Sequence, residues 1–319
     1  MDVALDPTLL LLLAMGLDVA LGELPNALHP VAWLGSFVGF VRARLPHSPA
    51  APALLAGALL LVSALAWVAL LVFALGSLAR SHAWLAAALA LYLLQASFAC
   101  RALLDAGARV EADLRADRLA AARVGLTSLC SRDASNLDNA QVAGAATASL
   151  AENLSDSVVA PLFYFVLFGL PGALAFRVIN TLDAMVGYRG KYEWLGKASA
   201  RTDDLAGLLP ARLTALLLLL AGALLRRPLG QGARVALRDA RQTPSPNGGV
   251  VMALASGLLG ARLEKAGSYV LGPELAEPSA DTLRRARTLV GLAAALACGA
   301  ALALTAAPGL PLWTLGATP

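Results

Sequence analysis

Carboxylate and amide side chains crowd the stretch from Ser131 to Leu213 in a chain that is otherwise rich in alanine and leucine. The carboxylates include Asp133, Asp138, Glu152, Asp156, Asp183, Asp203 and Asp204, and the asparagines are Asn136, Asn139, Asn153 and Asn180. A carboxylate near hydrocarbon is costly unless it is paired, bound to a metal or placed in a water-filled cavity. This stretch is therefore predicted to carry the chemistry of the protein.

The first polar group lies on a helix predicted from about Asp138 to Asn153, with Asp133 or Ser135 as its N-cap. Spacings of three and four residues place four side chains on one face, namely Ser149, Glu152, Asn153 and Asp156. Such a face can hold Mg²⁺, which prefers oxygen ligands and keeps waters while it bridges substrate phosphates. The alternative is an amphipathic helix that faces water.

A second polar group lies in Arg177–Tyr188, with the sequence RVINTLDAMVGY. Arg177, Asn180 and Asp183 recur at helical spacing, so they form one stripe. Gly187 is predicted to end this helix.

Two arginines and two aspartates follow. The guanidinium groups of Arg201 and Arg212 can each bind a phosphate or a carboxylate through two hydrogen bonds. Asp203 and Asp204 can hold a metal ion, or they can pair with these arginines in a purely structural arrangement. The pattern leaves both interpretations open.

Familiar nucleotide and hydrolase motifs do not account for this polar stretch. The segment GKYEWLGK, which ends at Lys197, has five residues between its glycines where a P-loop has about four, and Ala198 stands where Ser or Thr would bind Mg²⁺. GxGxxG, HExxH and GxSxG are absent from the sequence. His29 precedes Pro30 and is typical of a structural turn residue.

Composition makes the bilayer the predicted solvent of this chain. Hydrophobic residues make up 58%, mean hydropathy is +0.69 and charged residues make up 14%, against about 25% in an ordinary soluble domain. Six apolar runs are present, at Pro7–Leu21, Ala51–Leu78, Trp84–Cys100, Val158–Ala175, Leu213–Leu225 and Leu289–Ala307. Because a span needs about 20 helical residues, we expect an all-α, polytopic membrane protein with about four to six membrane-embedded helices.

The basic residues of the chain are distributed unevenly. Ten Lys or Arg residues lie between Arg226 and Arg287, against Arg80 alone in the turn between the second and third apolar runs. The positive-inside rule places the Arg226–Arg287 loop in the cytoplasm. A nucleic-acid partner is disfavoured because these cations alternate with acids and no aromatic platform accompanies them.

Several strings occur in chain order that are specific enough to compare with a known family. The longest are AENLSDSVVAPLF and NTLDAMVGY, and the others include LDVALGELPNALHPVAWLG, SRDASNLD, ARTDDLAGLLPARLTA and RDARQTPSPNGG. Together they resemble the adenosylcobinamide-phosphate synthase family of cobalamin biosynthesis, also called the CobD/CbiB family. The resemblance covers most of the chain.

The resemblance implies one reaction in the cell membrane, and the positive-inside rule favours a site that faces the cytoplasm. The propionate carboxylate of adenosylcobyric acid, a corrinoid, is joined to the amine of (R)-1-amino-2-propanol or of its O-phosphate, and ATP is consumed with Mg²⁺. The resemblance leaves open whether the free or the phosphorylated aminopropanol is the substrate. It also leaves open the oligomeric state, and a homo-oligomer is one of the alternatives.

Activation of a carboxylate requires metal ligands, cations for phosphate and a base for the amine. Glu152, Asp156 and Asp183 are predicted as metal ligands or base, and Asp203 and Asp204 are further metal candidates. Substrate or phosphate binding is assigned to the remaining polar residues, Arg132, Asn153, Asn180, Arg201, Asn247 and His29.

Two departures from the family pattern lie on the predicted polar helix. RAAVES is usual before LAEN, whereas this chain has GAATAS, so Gly144 and Ala148 replace an Arg and a Glu. A further departure is Glu23, in Gly-Glu-Leu-Pro where Gly-Asp-Pro is usual.

A single site requires its polar segments to meet on one side of the membrane. We therefore expect one catalytic domain over residues 1–319, with polar regions at 18–36, 131–156, 177–212 and 238–272. Val158–Ala175, which contains Pro161 and Pro171, and the short run Leu213–Leu225 are predicted to be re-entrant or buried in protein.

Two other classes of function compete with an enzyme. A membrane regulator or scaffold on the same helical frame needs no such density of Asn and Asp. A transporter predicts charges inside its spans, yet Ala51–Leu78 has none.

Overall fold

The computed structural model of the chain describes residues 6–188 and 190–307, and helices make up most of them. The first six helices are α1 (Pro7–Leu21), α2 (Pro30–Arg42), α3 (Ala50–Ser81), α4 (Ala83–Gln95), α5 (Cys100–Arg115) and α6 (Leu119–Leu126). The next four are α7 (Asn139–Leu154), α8 (Ala160–Val186), α9 (Lys197–Ala206) and α10 (Leu208–Leu224). The last three are α11 (Leu229–Asp239), α12 (Gly248–Leu259) and α13 (Ala280–Ala306). An antiparallel hairpin, β1 (Leu263–Lys265) and β2 (Tyr269–Leu271), follows α12.

The described residues contain four helices that are long and apolar enough to cross a membrane. They are Ala50–Ser81, Ala83–Arg115, Asn139–Val186 and Ala280–Ala306. A fifth candidate is the pair α9 and α10, which is bent by 45° and forms either a broken span or a re-entrant loop. The all-α, polytopic fold is confirmed, whereas the re-entrant path of Leu213–Leu225 stays a prediction.

The chain forms two compact units. The first unit contains Met1–Ala99, Ala160–Ala206 and Gly299–Pro319, and the second contains Cys100–Val159 and Gly207–Cys298. Each unit is therefore assembled from segments that are distant in sequence. The predicted single catalytic domain stays a prediction. Arg189, inside the predicted polar region 177–212, lies outside the described residues.

The polar helix α7 begins at a capping box. The Asp138 side chain accepts a hydrogen bond from the Gln141 amide at 2.8 Å, and the Gln141 side chain accepts one from the Asp138 amide at 3.0 Å. Asp138 is thus the N-cap, and the predicted caps Asp133 and Ser135 are wrong. The reciprocal pair satisfies two backbone donors at once, whereas the Asp133 carboxylate accepts from the Ser135 amide instead.

Two irregularities follow α7. A π-helical turn covers Ser155–Val159, and α8 is kinked at Gly169, where φ is 66°. The kink comes two residues before Pro171, which has no backbone N–H and disrupts a continuous helix. Glycine adopts a positive φ without steric cost, so the break in the predicted Val158–Ala175 run falls at Gly169.

The core of the first unit fixes the polar end of α8. Val38 of α2, Leu60 and Leu61 of α3, and residues of α8 form one cluster of buried side chains, the last being Ile179, Leu182 and Val186. Leu195 completes it, and a Cβ on Gly57 would collide with the Leu195 carbonyl. The approach of α3 to this segment therefore requires glycine. This packing fixes the turns of α8 that carry Asn180 and Asp183.

The core of the second unit explains the two departures on α7. Ala148 is 3% exposed and packs with Val235, Met252 and Leu263. A Cβ on Gly144 would lie 2.9 Å from Cγ of Pro278. Small residues suit both positions in this packing, and a charged side chain at either would have to be buried.

A buried acid joins two helices of this unit. Glu111 of α5 is 6% exposed, and its carboxylate pairs with Nε of Arg115 at 2.9 Å and with Nη1 of Arg287 of α13 at 2.6 Å. Both carboxylate oxygens are therefore satisfied, as a buried charge requires.

Candidate functional site

In the first unit, α8 and α9 bring together the predicted polar residues of the second and third groups. Nδ2 of Asn180 donates to Oδ1 of Asp203 at 3.3 Å, and the carboxylates of Asp183 and Asp204 are close enough to repel each other. Two pairs of the predicted residues, Asn180 with Asp203 and Asp183 with Asp204, therefore interact within this unit, and their role as a site stays a prediction. Carboxylates that repel each other bind a proton or a cation more readily than isolated ones.

Arg201 takes part only weakly in this cluster. Its Nη1 lies 3.9 Å from Oδ2 of Asp204, and its side chain is 73% exposed. An exposed pair at that distance contributes little to stability. The guanidinium group can therefore leave Asp204 for a phosphate at small cost.

The end of α8 determines where the Asp183 carboxylate lies. The Gly187 amide donates to the Asp183 carbonyl at 2.7 Å as the helix ends, which confirms the predicted terminus. A Cβ on Gly187 would lie 2.8 Å from Cγ of Asp183. The carboxylate group thus occupies space that any side chain at position 187 would take.

His29 has a structural role at the start of α2. Its Nδ1 accepts a hydrogen bond from the Val31 amide at 3.2 Å and caps the helix, so the ring proton belongs on Nε2. Burial lowers the pKa of His29, Arg177 lowers it further, and Glu23 opposes them. The ring is held neutral, with Nε2–H as its remaining donor. Substrate binding by His29 stays a prediction.

In the second unit, Glu152 lies against the first turn of α12. A Cβ on Gly248 would lie 2.5 Å from Oε1 of Glu152 and 3.3 Å from its Cδ. The carboxylate is therefore at a helix N-terminus, where backbone N–H groups and the helix dipole favour negative charge.

The SPNGG segment contains the turn that leads into α12, and its two glycines are the first residues of that helix. Oγ of Ser245 accepts from the amides of Asn247 and Gly248 at 3.2 Å and 3.3 Å. Nη1 of Arg212 donates to Oδ1 of Asn247 at 2.7 Å. The predicted residue Asn247 is thus part of the Glu152 neighbourhood through Gly248, and Arg212 adds a cation to it.

Arg132 is attached to the β-hairpin. Its Nη1 donates to the Glu264 carbonyl at 3.0 Å, and its Nη2 contacts the Tyr269 hydroxyl at 3.5 Å. That hydroxyl donates to Sδ of Met252 at 3.6 Å. Burial raises the pKa of Tyr269, Arg132 opposes this shift and Glu152 adds to it. Tyr269 is therefore a neutral hydroxyl group that contacts Arg132 and is affected by the negative charge of Glu152.

The other predicted members of the α7 face have different surroundings. Nδ2 of Asn153 donates to the carbonyls of Leu129 and Ser149 at 3.1 Å and 2.9 Å. Its amide group therefore ties α7 to the preceding loop. Asp156 is half-buried on the π-helical turn, a kind of irregularity that is frequent at functional sites.

The predicted metal ligands divide between the units, with Glu152 and Asp156 in the second and Asp183, Asp203 and Asp204 in the first. Within residues 6–188 and 190–307, no group of three or more His, Cys, Asp or Glu side chains is arranged to hold a metal ion. Mg²⁺ is commonly bound by one or two carboxylates together with waters and substrate phosphates. The pair Asp183 and Asp204 fits that mode rather than a cage made of protein groups alone.

Comparison with known proteins places this chain in a family. The family model described as CobD/Cbib protein matches residues 11–297. The chain belongs to the CobD/CbiB family. No solved structure matches it.

Curated members of the CobD/CbiB family are similar along most of their length. The probable cobalamin biosynthesis protein CobD of Methanothermobacter thermautotrophicus is 42% identical over 82% of this chain and 86% of its own. The cobalamin biosynthesis protein CobD of Klebsiella pneumoniae is 36% identical over 94% and 96%. The cobalamin biosynthesis protein CbiB of Salmonella typhimurium is 36% identical over 93% and 97%. The CobD/CbiB resemblance in the motifs is confirmed, and with it a role in cobalamin biosynthesis.

Two site residues could not be assigned a partner from the sequence. Tyr269 lies on a strand of three residues, which is too short for a periodic pattern. The sequence predicts that Arg212 can bind phosphate, yet nothing near it in sequence indicates its partner Asn247, which is 35 residues away.

Proposed function

We propose that this protein joins adenosylcobyric acid to (R)-1-amino-2-propanol, or to its O-phosphate, in an ATP-dependent amide ligation. Membership of the CobD/CbiB family supports the pathway. The single observation that supports the chemistry is the Asp183–Asp204 pair beside Asn180 and Asp203 in an apolar unit, because such a pair holds a cation or a proton.

The reaction needs two displacements. An oxygen of the substrate carboxylate attacks the terminal phosphorus of ATP, ADP leaves, and an acyl phosphate forms. The amine nitrogen then attacks the acyl carbon, phosphate leaves with the C–O bond electrons, and the nitrogen loses a proton to a base. Activation is required because a carboxylate is a poor acceptor for an amine in water.

The residues of the first unit suit nucleotide phosphates. Bound Mg²⁺ would neutralise charge on the transferring phosphoryl group, and Asp183 and Asp204 would hold it. Asn180 orients Asp203 through their hydrogen bond, and exposed Arg201 supplies a guanidinium group for phosphate.

The residues of the second unit suit the carboxylate and amine. Glu152 is the proposed base, since it lies at the first turn of α12 and accepts a proton when the amine attacks. Arg212 and Asn247 orient polar groups of the substrate, and Arg132 is held by Tyr269 and the hairpin. The protein is proposed to act in the cytoplasmic membrane, with its site facing the cytoplasm.

Membranes that contain the protein test this proposal directly. They are incubated with adenosylcobyric acid, Mg-ATP and either aminopropanol or its phosphate, and the amide product is identified by mass. Glu152→Gln and Asp183→Asn should lower the rate at least about 100-fold, whereas Asp113→Asn, at an exposed ion pair with Arg118, should not. Near-normal rates for both site variants would remove their proposed roles.

The two competing classes give different results in the same membranes. A transporter would take up corrinoid into proteoliposomes without ATP turnover. A regulator would form no amide under any substrate combination.

A topology experiment tests whether the predicted polar segments lie on one side of the membrane. Cysteines introduced at Ser131, Gly190 and Gly248 are labelled from one side of sealed vesicles. Labelling of position 190 from the side opposite to the other two would contradict a shared site.

A further inference from the structure

The helix α11 has two different faces. Gly232, Val235 and Asp239 are buried, and a Cβ on Gly232 would lie 2.8 Å from Cδ2 of Leu258 on α12. That face is therefore packed against the second unit. The orientation of the other face follows from the helical period, since residues three, four and seven apart share one side.

The outward side of α11 and of the 3-10 turn that follows it, Ala240–Gln242, carries a stripe of arginines. Arg234 and Arg238 lie on α11, Arg241 lies on the turn, and all three are exposed. Leu237 lies among them and is 88% exposed. Arginines around an exposed leucine are typical of a helix that lies at a membrane interface.

Arg226 lies close to this stripe in sequence, and most of the four arginines form no ion pair within the described residues. Arg238 is bound by Asp239 at 2.7 Å and by Glu274 at 2.8 Å. In contrast, the guanidinium groups of Arg226, Arg234 and Arg241 form no ion pair with any residue in 6–188 or 190–307. Three positive charges are therefore available to a partner outside the unit.

The position of the stripe along the chain indicates which partner it meets. The apolar helix α10 ends at Leu224 and belongs to the bent pair that is a candidate membrane span or re-entrant loop. Leu224 is 66% exposed, Arg226 follows two residues later, and α11 begins at Leu229. A cationic surface that starts where a membrane-embedded helix ends lies at the level of the lipid head groups.

We propose that Arg226, Arg234 and Arg241, with Leu237 between the last two, form a docking surface for anionic phospholipid head groups. A guanidinium group forms two parallel hydrogen bonds to a phosphate, and each Arg near an anionic membrane surface strengthens binding about fivefold. The packing of α11 on α12 presents the stripe without a folding step. This surface is independent of the ligase chemistry.

The test measures which lipids gather at Leu237. The full-length protein, with Cys100, Cys130 and Cys298 replaced by alanine, carries a bimane fluorophore on Leu237→Cys and is reconstituted in mixed phosphatidylcholine and phosphatidylglycerol vesicles. Spin-labelled lipid of one head group or the other is added at equal mole fraction. The ratio of quenching by spin-labelled phosphatidylglycerol to quenching by spin-labelled phosphatidylcholine reports local enrichment.

We expect a ratio of about two or more, since each arginine adds to the attraction. The triple variant R226Q/R234Q/R241Q should bring the ratio close to one. A matched triple, R80Q/R109Q/R284Q, removes the same charge from exposed arginines away from the stripe and should keep it. Tryptophan fluorescence and gel filtration confirm that each variant is folded.

Three results would overturn the proposal. The first is a ratio of one in the parent protein, and the second is an equal loss in both triple variants. The third is loss of enrichment on addition of sodium phosphate but not of sodium chloride at equal ionic strength, which would assign the stripe to free phosphate instead of lipid.

Discussion

Replacement of Gly248 by alanine should displace the Glu152 carboxylate without unfolding the protein. The added Cβ would lie 2.5 Å from Oε1 of Glu152 and 3.3 Å from Cδ. Ordinary contact requires the oxygen to retreat by about 1 Å. The backbone does not have to move, because the obstacle is the end of a flexible side chain.

The displacement gives an estimate of the loss in rate. A misplacement of about 1 Å at a reacting group can cost about 100-fold, which corresponds to about 2.7 kcal/mol of transition-state free energy. Stability should not fall with the rate, since alanine is better than glycine in a helix by up to about 1 kcal/mol. Activity and stability are therefore expected to move in different directions.

The assay is amide formation at saturating substrates in reconstituted membranes, with thermal unfolding measured on the same samples. Gly230→Ala is the matched control, because Gly230 also lies in the first turn of a helix and a Cβ there meets nothing within 4 Å. Glu152→Asp shortens the acid by one methylene group and should restore part of the rate in the Gly248→Ala background. A rate within twofold of the parent for folded Gly248→Ala would refute the role of the Glu152 position, as would equal losses for Gly230→Ala and Gly248→Ala.

Three further changes give distinct readouts. Tyr269→Phe removes the hydroxyl that contacts Arg132, and we expect amide formation to fall about tenfold with little change in the melting temperature, since one hydrogen bond contributes about 1 kcal/mol. The pKa of His29 is lowered in the folded protein, so the unfolded chain binds the proton more tightly. The stability contributed by neutral His29 is therefore fully present above about pH 6.5 and is lost as pH falls below it. His29→Asn can still cap α2 and should flatten this dependence when the free energy of unfolding is measured from neutral to acidic pH. Glu111→Gln breaks two ion pairs at a buried acid and should lower the free energy of unfolding by about 2 kcal/mol, whereas Asp113→Asn at an exposed pair should cost less than about 1 kcal/mol.

Helical segments were predictable because their signals are local. The apolar run at Ala51–Leu78 predicts α3, which extends from Ala50 to Ser81, and the stripe in Arg177–Tyr188 predicts the end of α8 at Val186. The N-cap of α7 was wrong by several residues, because Asp133, Ser135 and Asp138 all have the right chemistry. Only the reciprocal bond with Gln141 distinguishes Asp138.

Contacts between segments distant in sequence were not predictable. Arg132 reaches the carbonyl of Glu264, 132 residues away, and Tyr269 lies on a hairpin whose strands have three residues each. The division into two units is also invisible in the sequence, because the boundary at Val159 falls inside a helical segment that extends from Asn139 to Val186. Hydrophobic periodicity reports the burial of one face and not the identity of the neighbour.

Each of the two principal proposed acids lies against a glycine. Glu152 fills the space beside Gly248, and Asp183 fills the space beside Gly187. In an apolar protein, a carboxylate needs polar backbone groups or partners around it, and a missing Cβ lets the backbone approach the charge closely. Glycine at positions 187 and 248 therefore has two explanations. Each position lies at the end of a helix, and each leaves room for the carboxylate of a neighbouring acid. Gly187→Ala would also meet the Asp183 carbonyl at 2.7 Å, so it should cost stability as well as rate, whereas Gly248→Ala should cost rate alone.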